Sequence, residues 1–124
     1  MQRESLIAGL NALNIKPTEE VLSAFEVYLN ELLRWNKAYN LTAITDECDI
    51  INKHFLDSLL IVTLLPQRAF RLCDVGSGAG FPGMPIAIVR RDIEVTLIEP
   101  SRKKAQFLNH MRYKLALRLS LIHI

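Results

Sequence analysis

Asp74-Val75-Gly76-Ser77-Gly78-Ala79-Gly80-Phe81-Pro82-Gly83 is the stretch on which the fold depends. Phe70-Arg71-Leu72-Cys73-Asp74-Val75, a short run read as a strand, leads into it. Residues 84–91, a short helix with Pro85 near its first turn, lead out. Glycines at such a turn permit positive φ and let a ligand approach the backbone with no Cβ in the way. Amides at a helix start favour a negatively charged group. In a methyltransferase that group is the carboxylate of a methionine moiety; in a dehydrogenase it is a pyrophosphate.

Spacing separates these two. The dinucleotide fingerprint G-x-G-x-x-G puts its third glycine where this chain has Phe81. Here the pattern is G-x-G-x-G, with Asp74 two positions ahead of the first glycine. A carboxylate there suits an ammonium group and repels a pyrophosphate. Glu94-Val95-Thr96-Leu97-Ile98 reads as a second strand, and Glu99 closes it. A carboxylate at that strand end accepts hydrogen bonds from ribose hydroxyls in nucleoside-binding βαβ units. The candidate cofactor-facing residues are therefore Asp74, Gly76, Ser77, Gly78, Gly80, Phe81 and Glu99. The plainer alternative is a Gly-rich surface turn beside two ordinary strand-end acids.

Outward from the turn the pattern changes near Pro66: helical before it, strand and helix alternating after it. Residues 4–13 read as a short helix ended around Asn14 and Lys16-Pro17. Thr18, Glu19 and Glu20 make a good helix start, a capping hydroxyl followed by carboxylates at the positive end of the dipole. From there Val21, Leu22, Phe25, Tyr28, Leu29, Leu32 and Leu33 form one apolar stripe, running to about Asn36–Tyr39 with Asn40 as the stop. Thr45 or Asp46 caps the next helix, through Ile50, Ile51, Phe55 and Leu59 to about Leu65, and Pro66 ends it. Residues 101–116 read as a basic amphipathic helix. Strand–helix–strand order implies parallel strands with a right-handed crossover. Two parallel strands are too few for a stable sheet, so the chain supplies the beginning of a doubly wound domain.

The 124 residues fit one domain at most. Half of them are apolar and mean hydropathy is +0.17, ample for a core and unlike a disordered chain. A net charge of +2 diagnoses no nucleic-acid partner by itself. Two cysteines, Cys48 and Cys73, are too few for a disulfide framework or a zinc site, and Cys73 reads as a small buried hydrophobe. With neither a secretory leader pattern nor a stretch long enough to span a membrane, a soluble, reduced, cytoplasmic setting is expected.

Three motifs then stand in order: Trp35-Asn36-Lys37-Ala38-Tyr39-Asn40-Leu41-Thr42, His54-Phe55-Leu56-Asp57-Ser58-Leu59, and Asp74 to Pro85. Together they resemble the bacterial small-subunit ribosomal RNA guanine-N7 methyltransferases, a resemblance running to about Leu117. It implies an α/β, class I Rossmann-like methyltransferase fold. Residues 1–66 would be a helical N-terminal extension, and residues 67–117 the first βαβα part of the S-adenosylmethionine-binding domain. It further implies S-adenosyl-L-methionine as cofactor, 16S rRNA in the small ribosomal subunit as partner, and methyl transfer to N7 of a guanine near the decoding region. No membrane is implied, and the full-length protein is expected to be a monomer. Carried over by residue, Gly76, Gly78 and Gly80 line the methionine end with Asp74 beside them, and Glu99 holds the ribose. Similar proteins continue well past this length. Residues 118–124 depart from the family pattern and are expected as a non-native or irregular tail, a third strand being the other course open to them.

The remaining candidates each carry two readings. His54 and Asp57, at i and i+3 on one helix face, either pair with each other or face the cofactor cleft, or else serve as structural hydrogen-bonding groups. Neither is assigned as a catalytic acid or base, since guanine N7 carries no proton. Asn36 and Lys37, with Tyr39 and Asn40, either cap their helix or reach the RNA or the cleft. Arg102, Lys103 and Lys104 open a helix against its dipole, which phosphate contact explains and a solvated face equally allows; Arg90 and Arg91 are read the same way. Trp35 with Tyr28 and Leu32 is core packing before it is a stacking platform. Two rival functions stay open: an NAD(P)- or FAD-binding oxidoreductase domain, and a non-catalytic interaction fragment marked by an exposed apolar patch.

Overall fold

The computed structural model describes Met1 and residues 3–124. Its helices are α1 (Arg3–Ala12), α2 (Glu19–Tyr39), α3 (residues 47–64), α4 (Gly83–Val89) and α5 (Arg102–Leu115), with strands β1 (Arg71–Val75), β2 (Glu94–Glu99) and β3 (Leu119–His123). The caps follow the sequence. Thr18 accepts from the Val21 amide, Asp46 from Asp49 and Ser101 from Lys104, while Asn40 closes α2 in the left-handed region at φ 50°. Helix α3 is one helical run of mixed pitch. Ile50–Leu56 takes the wide π form and Leu60–Leu64 the tight 3₁₀ form.

The sheet is parallel, in the order β1-β2-β3. Residues 118–124, expected as an irregular segment, thus supply a third strand, Val95 pairing with Leu119 and Glu99 with His123. Helix α4 packs on β1 and β2, α5 on β2 and β3, and α2 lies across both helices. Side chains alternate across the strands. Asp74, Val95, Leu97, Glu99 and Leu119 are buried, whereas Cys73, Val75, Ser120 and Ile122 at the alternate positions are exposed. This corrects the reading of Cys73 as a buried hydrophobe: among the described residues it stands on a sheet face no helix covers, on an edge strand. The core sits between the covered face and the N-terminal helices, around Phe25, Tyr28, Phe55, Met84, Leu97 and Phe107. No described helix is long and apolar enough to cross a membrane.

Candidate functional site

At the C-terminal tips of β1 and β2 the chain bends through Gly76, Gly78 and Gly80, at φ 76°, 58° and 108°. All three lie where a side chain is disfavoured, but their surroundings differ. A Cβ on Gly76 or Gly78 would meet nothing within 4 Å. On Gly80 it would stand 2.5 Å from the Tyr28 hydroxyl oxygen and 3.2 Å from both Leu108 Cδ2 and Met84 Cβ. Gly76 and Gly78 therefore leave open space above the turn, and Gly80 admits the helical layer beneath it. Gly83, assigned no role from sequence, is needed for a third reason. Its Cβ would fall 2.5 Å from Leu97 Cδ2 and 2.9 Å from the Asp74 carboxylate.

Two buried carboxylates hold the turn. Asp74 Oδ2 accepts from the Gly83 amide at 3.0 Å, tying the strand tip to the start of α4. Glu99 Oε1 accepts from the Gly78 amide and Oε2 from the Ser101 amide, both at 2.7 Å. Burial raises the Asp74 carboxyl above the ordinary range and the charge of Glu99 adds to this, while the Gly83 amide and the Ser77 hydroxyl oppose it. The two acids thus stand within each other's field, on either side of one turn.

Several expectations change. Ser77, expected to face a cofactor, is buried, and its hydroxyl donates inward to the Asp74 carbonyl at 2.9 Å. Gly80 is likewise turned to the interior. The turn's amides, expected to receive an anionic group, are largely used within the fold. Those of Gly76 and Ser77 donate to the Ile98 carbonyl, that of Gly78 to Glu99, and those of Gly80 and Phe81 to the Ser77 carbonyl. What the turn offers is open backbone flanked by acids. A cavity of about 410 Å³ lies elsewhere, bounded by Lys16, Val62, Val89 and Arg90. Cavity volume is a poor guide here, because the turn faces an open surface on which convergent polar groups decide.

His54 and Asp57 do not pair with each other. Asp57 is exposed, while His54 stacks on Phe81 of the turn, centroids 4.3 Å apart and planes 6° apart. Its Nε2 lies 2.9 Å from Thr42 Oγ1. Burial lowers the His54 pKa, opposed by the charge of Asp57, which favours the neutral ring. Asn36, expected among the RNA contacts, is instead buried and accepts from the Thr42 amide at 2.8 Å, which organises the chain leaving α2. Lys37, Arg102 and Lys103 are exposed and Lys104 half-buried. Lys103 Nζ lies 5.7 Å from the centroid of the Tyr39 ring, bringing the start of α5 beside the end of α2. Trp35 packs against Phe107 and His110 as core-side lining. Sequence places Tyr28 in the apolar stripe and the core around Trp35 and gives its hydroxyl no role, yet that hydroxyl donates to the Ala79 carbonyl at 2.6 Å. A tyrosine at the centre of such a stripe signals this need, since a buried hydroxyl requires a partner.

Residues 21–124 match the family model described as rRNA small subunit methyltransferase G. The chain belongs to this family. The methyltransferase G of Aquifex aeolicus is 47% identical over 102 residues, which cover 78% of this chain and 52% of that protein. That of Acholeplasma laidlawii is 44% identical over 114 residues, covering 91% of this chain and 50% of its own length. The chain spans about half the length of the curated relatives it matches. Among solved structures, a protein-L-isoaspartate O-methyltransferase matches with a TM-score of 0.59 at 14% identity, over 98% of this chain and 42% of that one. That likeness concerns the fold alone: a Rossmann-like methyltransferase fold. Membership of the methyltransferase G family replaces the oxidoreductase reading of the Gly-rich turn.

Proposed function

We propose that this chain carries the cofactor-binding part of an S-adenosylmethionine-dependent methyltransferase that acts in the cytoplasm on guanine N7 of 16S rRNA. The observation that carries it is the Gly-rich turn bridged by Glu99 and Asp74. Gly76 and Gly78 leave their outer surface free of side chains. Each carboxylate oxygen offers two lone pairs, so Glu99 retains acceptor capacity for ribose hydroxyls beyond its two amides. The Asp74 carboxylate, held by the Gly83 amide through Oδ2, carries the negative charge that suits an ammonium group. Gly80, Ser77 and Phe81 act from behind by fixing the turn's shape. Bound there, the cofactor supplies an electrophilic methyl group.

Guanine N7 presents a lone pair and no proton, so no residue here has to act as general base. The protein's task is alignment, worth several kcal/mol of barrier when geometry is fixed. The exposed Lys37, Arg102 and Lys103, the last beside Tyr39, with the half-buried Lys104, are the cations proposed for RNA phosphate.

Calorimetric titration of the 124-residue chain with S-adenosylhomocysteine and with NAD tests the cofactor. Heat with the first and none with the second is expected; the reverse defeats the reading. For the full-length protein, a strain lacking the gene should lose one N7-methylguanine from 16S rRNA. An unchanged modification map refutes the substrate.

A further inference from the structure

A turn with three glycines at positive φ is soft unless its surroundings fix it, because glycine has the most backbone freedom to lose. Ligand binding to a soft turn loses affinity to that ordering. Strand tips hold this turn at Gly78 and Gly83. In the intervening segment the Gly80 and Phe81 amides donate locally to the Ser77 carbonyl, while the Ala79 carbonyl and the Phe81 ring are met by residues far away in sequence.

Tyr28 of α2 is fully buried, donates to the Ala79 carbonyl at 2.6 Å and occupies the space beside Gly80. Burial, with the charge of Asp74 adding to it, keeps the phenol protonated and therefore a donor. The Phe81 ring lies against Tyr28, with centroids 5.5 Å apart, and against the His54 ring at 4.3 Å. His54 is set in turn by Thr42 Oγ1 at 2.9 Å, and Thr42 by Asn36 at 2.8 Å. His54 lies in the π-form stretch of α3, a geometry that recurs at functional sites.

We infer that Tyr28 and His54 are positioning residues for the cofactor turn, so that the N-terminal helices preorganise it rather than serving only as a separate helical extension. This rests on the reading of the turn as the cofactor cradle. Tyr28 fixes its backbone through Ala79, and His54 fixes it through the plane of Phe81. Neither side chain touches the ligand; both act by removing the turn's alternative conformations.

The test measures S-adenosylhomocysteine affinity of the 124-residue chain and of Tyr28→Phe, His54→Ala and His54→Phe. Amide NMR signals of Gly76, Gly78 and Gly80 are followed in each. Tyr28→Phe and His54→Ala should each weaken binding about tenfold, the factor set by ~1.4 kcal/mol. Exchange broadening should appear at the glycine amides. His54→Phe, which keeps a flat ring against Phe81, should recover most of the loss. Leu10→Val, a buried truncation on α1 away from the turn, serves as control and should lower melting temperature without moving affinity. Absence of binding by the unmodified chain defeats the cradle reading itself. If that chain binds while the variants match it in affinity and glycine signals, or if Leu10→Val weakens binding as much as they do, the positioning role is refuted.

Discussion

Replacing Gly80 with alanine puts a methyl group where the fold has a tyrosine hydroxyl. At φ 108° an alanine is strained by about 1–2 kcal/mol. Its Cβ would also lie 2.5 Å from Tyr28 Oη, with Leu108 and Met84 closing the other sides at 3.2 Å. The softest escape is displacement of the hydroxyl, which breaks the bond to the Ala79 carbonyl and leaves a buried acceptor unpaired, a loss of about 1–3 kcal/mol. Together these give roughly 2–5 kcal/mol, reaching the range of core disruption. Gly78→Ala carries strain at φ 58° but no clash, and should cost about 1 kcal/mol. Urea unfolding followed by fluorescence of Trp35, the single tryptophan, measures both. In a Tyr28→Phe background the hydroxyl is already gone. Gly80→Ala should then lose at least 1 kcal/mol less than in the unmodified chain, a coupling that a double-mutant cycle reads directly. Equal costs for Gly78→Ala and Gly80→Ala, or strict additivity with Tyr28→Phe, would refute the idea that the two glycines serve different ends.

Other expectations follow from the ionised groups and the bare sheet face. Burial pushes the Glu31 carboxyl up, but hydrogen bonds from Arg34, His110 and Lys114 outweigh this and hold it at about 2 against an ordinary 4.5. Its contribution is therefore present above pH 4.5 and lost as pH falls toward 2. The ceiling is about 3 kcal/mol, reduced to roughly 1–2 kcal/mol because Arg34 and Lys114 are solvent-exposed. The stability gap between the unmodified chain and Glu31→Gln should shrink as pH falls below about 4.5 and close near pH 2, and a gap independent of pH sinks the assignment. Asp74 runs the opposite way: its raised pKa means that burying the ionised form opposes folding above the ordinary carboxylate range and is relieved below it. Asp74→Asn keeps an acceptor for the Gly83 amide, so stability at pH 7 should hold or rise by up to about 1 kcal/mol while S-adenosylhomocysteine affinity falls. Marked destabilisation would make the carboxylate structural instead. Cys73 and Cys48 are both exposed, so both thiols should react with a disulfide reagent in the folded chain; protection of Cys73 would mean that its sheet face is covered.

Much of the fold was legible because its signals are local. The caps at Thr18 and Asp46, the stripe along α2 and the alternation of β2 all lie within one or two turns of sequence. The acid–glycine–acid register was legible for the same reason, since a strand, a turn and a strand fix where Asp74, the glycines and Glu99 fall. What escaped is tertiary. Whether Cys73 is buried depends on which sheet face carries helices. The inward aim of Ser77 depends on how the turn closes on Ile98. The bond from Tyr28 to Ala79 spans 51 residues, and no period within α2 announces it. Asn36 illustrates the limit: its type and its place near a helix end fit capping and RNA contact equally, and only its burial separates them.

The two carboxylates carry the functional argument further than the glycines do. A turn needs positive φ, and asparagine or glycine supplies that anywhere on a surface; a buried acid is a different matter, because desolvation disfavours it unless it is compensated. Glu99 is 4% exposed and compensated by two amides. Asp74 is 9% exposed, with one amide and the Ser77 hydroxyl set against burial and a second negative charge nearby, and its raised pKa records the shortfall. For holding Gly83 alone, an asparagine oxygen would serve without that penalty. The surplus negative charge is therefore what stability does not require, and a cationic or multiply hydroxylated ligand at the open side of the turn is what would use it.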